Sequence, residues 1–343
     1  MKYRALVTAE VITDMLEPLK EKIDFDFDGY FIDHEVMPVE ELKEKIKNYD
    51  ILICEYDTID KEILDCAEKL KLIICCRGGV KTVIDLEAAK EKGIIICNNG
   101  GRNAQAVSDF TLGFILDLTR NISKSNALIQ NKVITTDVKS KPDNYKDTVW
   151  GLDNNSPFIR FRGKSVNHMV LGLVGCGFAG SLVAKKANVF DMEIIAYDPF
   201  IDPARVPEFV KLVDFEELLS RSDIISLHCN VSPESKNMFN KETFAKMKEG
   251  AYFINTARGE LVDEAALIEA LNAHHLAGAA IDVTVKEPIA SDCPLLTAEN
   301  LIITPHIAGS SYDVQVCGTQ MVKDALEDFM ADIKPRNCVV YNK

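Results

Sequence analysis

Short apolar runs alternate with stretches of helical periodicity along the first hundred residues. Ala5–Ala9, Ile51–Cys54, Leu72–Cys76 and Ile94–Cys97 read as strands buried on both faces. Val39–Lys47, Lys61–Glu68 and Asp85–Lys92 repeat their apolar residues at helical spacing. Each crossover is long enough to join parallel strands, so this region predicts an α/β lobe of its own. Val107, Leu112, Ile115, Leu116, Ile122 and Leu128 then recur at helical spacing, which predicts one long helix over 102–130. From Asn131 to Arg162 the pattern dissolves into polar residues, two prolines and the sole tryptophan, Trp150. A stretch of that length is more than a loop, and 131–162 is expected to be an arm that packs on a second subunit.

The alternation resumes at Met169. Met169–Leu173, Met192–Tyr197, Ile224–His228, Ala251–Asn255, Ala277–Ile281 and Leu301–Thr304 predict strands. Asp263–Leu271 and Tyr312–Phe329 predict helices, and Cys338–Tyr341 a last short strand. The final helix is expected to return to the first lobe, whose sheet needs cover on both faces. A chain of 343 residues exceeds the size at which a single core stops growing, so two lobes with a cleft between them are expected.

Composition narrows the function. Hydrophobic residues make up 47% and charged residues 27%, as in an ordinary globular protein, and the net charge is −14. That acidity argues against nucleic acid or an anionic membrane surface as partner. No apolar run approaches a transmembrane span, and Met1-Lys2-Tyr3-Arg4 leads straight into Ala5-Leu6-Val7, so no signal segment is expected. Ten cysteines without C-x-x-C pairs point to reduced thiols and the cytoplasm, with no metal site.

The most specific local signal is Gly175-Cys176-Gly177-Phe178-Ala179-Gly180. It follows a predicted strand and opens a predicted helix, Ser181–Val189. Glycines there allow a tight turn and a close backbone approach, and a helix N-terminus presents N–H groups to an anion such as a pyrophosphate. Asp198 closes the next apolar run, where such a unit carries the acceptor for a ribose 2′-hydroxyl. These residues predict a dinucleotide site that takes NAD rather than NADP.

Three polar segments follow at strand ends, where open α/β sheets place their sites: Asn255-Thr256-Ala257-Arg258-Gly259, Asp282-Val283-Thr284-Val285-Lys286-Glu287-Pro288 and Thr304-Pro305-His306-Ile307-Ala308-Gly309. Singly, each has a plain alternative: a surface arginine, a solvated acid, a core histidine. Together they resemble the D-isomer-specific 2-hydroxyacid dehydrogenase family, whose motifs read N-x-[AS]-R-G, D-V-x-x-x-E-P and P-H-x-[AG]. The interval from Arg258 to Glu287 agrees with that family, and the resemblance extends to Arg102–Phe110 and Asp85–Gly93.

The resemblance implies two Rossmann-like lobes of the α/β class. A dinucleotide-binding domain (102–308) would be inserted into a flavodoxin-like substrate domain (1–101 and 309–343), and the protein would be a homodimer. It implies that Arg258 holds the substrate carboxylate, which a planar guanidinium can grip with both arms. His306 would exchange a proton with the C2 oxygen while a hydride moves at C2, a task suited to a side chain that titrates near neutrality. Glu287 would orient the imidazole and favour its charged form. Asp282 would bond the nicotinamide carboxamide, its alternative being an acid that caps a strand end, and Thr256 and Ala257 would line the cofactor.

In the first lobe Arg77-Gly78-Gly79-Val80 occupies the place of the family's carboxylate-binding loop. It departs from the common form R-A-G-x-G-x-D-N-x-D by being one residue shorter and by carrying Lys81-Thr82-Val83. Arg77, Lys81 and Arg102 are candidates for a distal phosphate or carboxylate, with solvated surface charge as the alternative. Asn230 stands where the family commonly has proline after Leu227-His228-Cys229, and Cys176 sits inside the phosphate turn. The small-molecule partner implied is a 2-hydroxy or 2-oxo acid. Two alternatives stay open: a phosphorylated substrate such as 3-phosphoglycerate, and a non-catalytic, dinucleotide-gated binding protein of the same fold, as in the C-terminal-binding-protein corepressors.

Overall fold

The computed structural model describes residues 2–134 and 156–341. The chain forms two compact units, Met1–Asn103 with Ser310–Lys343, and Ala104–Gly309.

The first unit is built on six strands: β1 (Tyr3–Val7), β2 (Ile23–Phe27), β3 (Ile51–Cys54), β4 (Leu72–Cys75), β5 (Ile95–Asn98) and, far along the chain, β13 (Cys338–Val340). Their order is β13-β5-β4-β3-β1-β2. β1 to β5 pair in parallel, and β13 lies antiparallel against β5. Alternation along each strand feeds two cores. Ile51 and Ile53 of β3 face one layer with Val322, Leu326 and Phe329 of the Tyr312–Met330 helix. Leu52 faces the other, with Leu42, Ile46, Ile63, Leu64 and Ala89 of the three crossover helices. Asp60 and Asp85 start two of these helices by accepting the N–H groups of Ile63 and Ala88.

Strand β2 was not foreseen. Ile23-Asp24-Phe25-Asp26-Phe27 alternates apolar with acidic residues because it is a sheet edge with one face in the core. Its aspartates pair with Lys2 at 3.2 Å and Arg4 at 2.9 Å.

The second unit holds seven parallel strands: β6 (Val170–Val174), β7 (Glu193–Tyr197), β8 (Val210–Leu212), β9 (Ile224–Leu227), β10 (Ala251–Asn255), β11 (Leu276–Ile281) and β12 (Leu301–Ile303). The order β12-β11-β10-β9-β6-β7-β8 runs outward in both directions from β6, the doubly wound arrangement with its switch point between β6 and β9. Strand β8 was also missed, since only Val210 of Val210-Lys211-Leu212 is buried and no apolar run marks it. One face packs Leu171, Leu173, Tyr252 and Ile254 against Leu112, Ile115, Val183 and Ala187 of the flanking helices. The other packs Phe253 with Phe239 and Phe244.

The single helix predicted over 102–130 is two helices, Ala104–Arg120 and Ile122–Gln130. Asn121 separates them in the left-handed region at φ 56°, a conformation asparagine tolerates and one that ends a helix. The Ser123 N–H then donates to Asp117 Oδ1 (2.7 Å). Apolar spacing survives the break, so periodicity could not reveal it. Most of the arm expected at 131–162, residues 135–155, lies outside the described residues.

Candidate functional site

The glycine turn stands at the C-terminal end of β6, at the switch point. Gly175 adopts φ +94°, and a Cβ there would meet the His228 carbonyl carbon and oxygen at 2.8 Å. A Cβ on Gly180 would stand 2.2 Å from the Gly175 oxygen, so the Phe178–Val189 helix could not approach the strand. Gly177 differs. A Cβ there would meet nothing within 4 Å, and the residue heads the helix without a side-chain cap. Among the described residues, the N–H groups of Gly177, Phe178, Ala179 and Gly180 donate to no protein acceptor. Open space over unsatisfied helix-end N–H groups is what the diphosphate of a dinucleotide fits.

Asp198 is half-buried at the end of β7. Its Oδ2 accepts the Cys176 N–H (2.8 Å) and its Oδ1 the Phe200 N–H (3.1 Å), which fixes the carboxylate beside the turn. Beneath the glycines, His228 Nε2 lies 2.9 Å from Ser226 Oγ, and burial pulls the imidazole down to about 4. It is therefore neutral at physiological pH and adds no charge to the turn. Burial also pushes the Cys229 thiol up to about 11 and raises Cys176. Both thiols stay protonated, which leaves Cys176 as a small filler.

The three later motifs converge at the ends of β10, β11 and β12. Asn255 folds its own turn: Nδ2 donates to the Arg258 carbonyl (2.8 Å) and Oδ1 accepts the Ala257 N–H (3.0 Å). Arg258 is exposed; one guanidinium nitrogen donates to the Ala257 carbonyl (2.6 Å), and no carboxylate among the described residues pairs with it. Gly259 brings this turn onto the next motif, since a Cβ there would lie 2.2 Å from the Thr284 carbonyl carbon. Thr256 is buried, its hydroxyl 3.2 Å from that of Thr111.

His306 Nδ1 lies 2.7 Å from Glu287 Oε2, with both side chains open to solvent. Glu287 is itself held, its Oε1 accepting the Thr284 N–H at 3.1 Å. His306 sits at φ 57°, an uncommon conformation for a side-chain-bearing residue and one that persists only where the surroundings impose it. Asp282 imposes it. Its carbonyl accepts the His306 N–H (2.8 Å), and its carboxylate accepts the Thr304 hydroxyl (2.5 Å) and the N–H groups of Ile307 (2.9 Å) and Ala308 (2.7 Å). Asp282 is 1% exposed, so its evident work is to clamp the histidine turn. Sequence reading had set this strand-end role second to cofactor contact.

In the first unit, Arg77, Gly78 and Gly79 lie in the loop after β4. The Arg77 guanidinium stands 5.5 Å above the Tyr56 ring. Asn98 Nδ2 donates to the Gly78 carbonyl (2.7 Å) and the Asn99 N–H to the Arg77 carbonyl (3.1 Å). The N–H groups of Gly78 and Gly79 donate to no protein acceptor among the described residues. Arg102 does not join them: its guanidinium is bonded to the buried Glu55 carboxylate. No group of metal-ligating side chains occurs among the described residues, and no helix there is long and apolar enough to cross a membrane.

Residues 112–308 match the D-isomer specific 2-hydroxyacid dehydrogenase, NAD binding domain. A D-3-phosphoglycerate dehydrogenase of Methanocaldococcus jannaschii is 36% identical over 304 residues, covering 88% of this chain and 53% of its own length. The chain thus spans about half the length of that relative. A hydroxypyruvate reductase of Blautia hydrogenotrophica is 32% identical over 85% of each chain. The solved structure of a Thermus thermophilus protein, 32% identical, superposes with a TM-score of 0.76 over 98% of this chain and all of its own. The fold, the glycine turn and these matches agree: the chain belongs to the D-isomer specific 2-hydroxyacid dehydrogenase family and carries its NAD binding domain.

Proposed function

We propose that this protein is an NAD-dependent oxidoreductase that interconverts a D-2-hydroxy acid and its 2-oxo acid. The observation that carries the reading is the hydrogen-bonded pair of His306 and Glu287, with Arg258 on a turn packed against Thr284 and without a carboxylate partner among the described residues, in the unit that bears the glycine turn. The nicotinamide, when bound, supplies or takes up the hydride at C2. Gly175, Gly177, Phe178, Ala179 and Gly180 would hold the diphosphate, Asp198 would accept from the adenosine ribose, and Thr256, Ala257 and Asp282 would border the nicotinamide end.

Arg258 binds the substrate carboxylate. Its charge has no acidic partner among the described residues to compete, and its fork matches both oxygens. The Glu287 carboxylate can only accept, so Nδ1 of His306 carries the hydrogen between them. Nε2 is then the nitrogen that gives a proton to the C2 oxygen on reduction and takes it on oxidation. Arg77, Gly78 and Gly79 assist in holding the acid, supported by the two unsatisfied N–H groups. With Arg102 occupied by Glu55, Arg77 is the guanidinium of that region left for a second anionic group. The relatives that act on phosphoglycerate and hydroxypyruvate, by their names, make short acids of both kinds the first substrates to try.

The protein is further read as a cytoplasmic homodimer. Ten free cysteines suit a reducing compartment, and Ile122 and Ile129 just before the 131–162 segment, with Val133 and Phe158 inside it, are all more than half exposed. Light scattering measures the mass. A panel of 2-oxo acids tested with NADH and NADPH examines the activity itself: acid-dependent consumption of NADH supports it, and none with any acid refutes it.

A further inference from the structure

We propose that Cys97 and Cys338 form a reversible disulfide, which makes the β5–β13 edge of the first unit a thiol-oxidation site. The two cysteines are register partners across an antiparallel pair. The Asn98 N–H donates to the Asn337 carbonyl (3.0 Å), one residue beyond them on each strand, so they occupy a non-hydrogen-bonded position. At such positions the Cα atoms approach to about 4.5 Å and the side chains share a face. A disulfide spans Cα separations of roughly 4.4–6.8 Å, a range that includes this one. The register shifts only past the pair, between Cys338 and Val340.

The two thiols are unequal in a useful way. Cys97 is fully buried, whereas Cys338 is half-buried, on a short strand at the sheet edge. Cys338 Sγ donates to the Val340 carbonyl (2.9 Å), and the Cys97 thiol is its neighbour across the pairing. The contact between the two thiols pushes Cys97 up and holds Cys338 below the ordinary thiol range, with Lys334 adding to the effect. Cys338 is therefore the sulfur that ionises more readily and that an oxidant can reach. Cys54 and Cys75 make the contrast. They too are register partners, but both are sealed in the core on parallel strands.

With a peroxide as oxidant, the Cys338 thiolate attacks the O–O bond, forming a sulfenic acid and releasing hydroxide. The Cys97 sulfur then displaces hydroxide from Cys338 Sγ as the S–S bond forms. The two sulfurs lose two electrons, the peroxide is reduced to two waters, and both thiol protons end in water. A dithiol reverses the change by exchange. The bond closes one residue before Asn98, whose side chain holds the Gly78 carbonyl, so oxidation pins the strand end that supports the Arg77–Gly79 loop.

The test is hydrogen peroxide treatment of the folded protein, alkylation of the remaining thiols after unfolding in denaturant, and peptide mass spectrometry without reduction. A linked pair of peptides containing Cys97 and Cys338 is expected. It should be two hydrogens lighter than the separate thiols, lost on adding dithiothreitol, and absent from Cys338→Ser. The proposal fails if Cys97 and Cys338 remain alkylatable at doses that oxidise the exposed Cys317. It fails equally if Cys338 proceeds to sulfinic acid with Cys97 still free.

Discussion

Glu287 Oε2 stands 2.7 Å from His306 Nδ1, and Glu287 is the imidazole's only acidic partner among the described residues. The contact fixes which nitrogen faces the carboxylate and leaves Nε2 for the substrate. Reduction needs a protonated ring to give the proton and oxidation a neutral one to take it. Glu287→Gln can present its amide nitrogen as well as its oxygen to Nδ1, so it no longer fixes the tautomer. kcat should fall in both directions while NAD affinity is retained. Unchanged turnover in this variant would mean that the pair does not control the proton.

Arg258→Lys keeps the positive charge and loses the fork. kcat/KM for the oxo acid should fall roughly 10- to 100-fold, the scale of one lost charge-assisted hydrogen bond. NAD affinity, measured by fluorescence titration, should stay at the wild-type level. An unchanged KM and kcat would remove Arg258 from the site.

Asp198 is proposed to set the dinucleotide: its carboxylate would accept from a free ribose hydroxyl and repel a 2′-phosphate. Asp198→Ala should weaken NAD about tenfold or more, since a bond to a charged acceptor is lost. The loop loosens as well, because the Cys176 N–H loses its acceptor. The NADP-to-NAD preference ratio should rise. A wild-type protein that prefers NADPH would contradict this assignment.

Glu55 and Arg102 give a prediction about stability. Glu55 is 3% exposed, and its charge is compensated by Arg102. Arg102→Met strands a buried carboxylate and should cost about 3–5 kcal/mol in denaturant unfolding. Removing both charges in Glu55→Gln with Arg102→Met should recover most of that loss. A single variant as stable as the wild type would show that the pair carries no energetic coupling.

Much of this is legible in the sequence alone. Buried parallel strands are continuous apolar runs, and the polar strand ends carry residue types that an apolar core does not call for. What escaped had physical reasons. Strand β2 follows a period of two with aspartates on its outer face, so it shows no apolar run. Asn121 breaks a helix without disturbing the spacing on either side. The clamp by Asp282 joins residues more than twenty positions apart, and only the β11–β12 pairing brings them together. Arg102 was read as a candidate for substrate because its partner, Glu55, lies on another strand end of the same sheet. His228 stood in view within Leu227-His228-Cys229. Its place beneath Gly175 follows from the adjacency of β6 and β9, which strand order alone reveals.

The most direct test of the account is the rate of NADH oxidation with the best 2-oxo acid, compared between the wild type and His306→Gln. Removing a positioned acid–base group should lower kcat by about 10²–10⁴-fold, while NADH binding and the melting temperature stay near wild type. A His306→Gln protein that turns over at close to the wild-type rate would contradict proton transfer by His306, and with it the proposed mechanism.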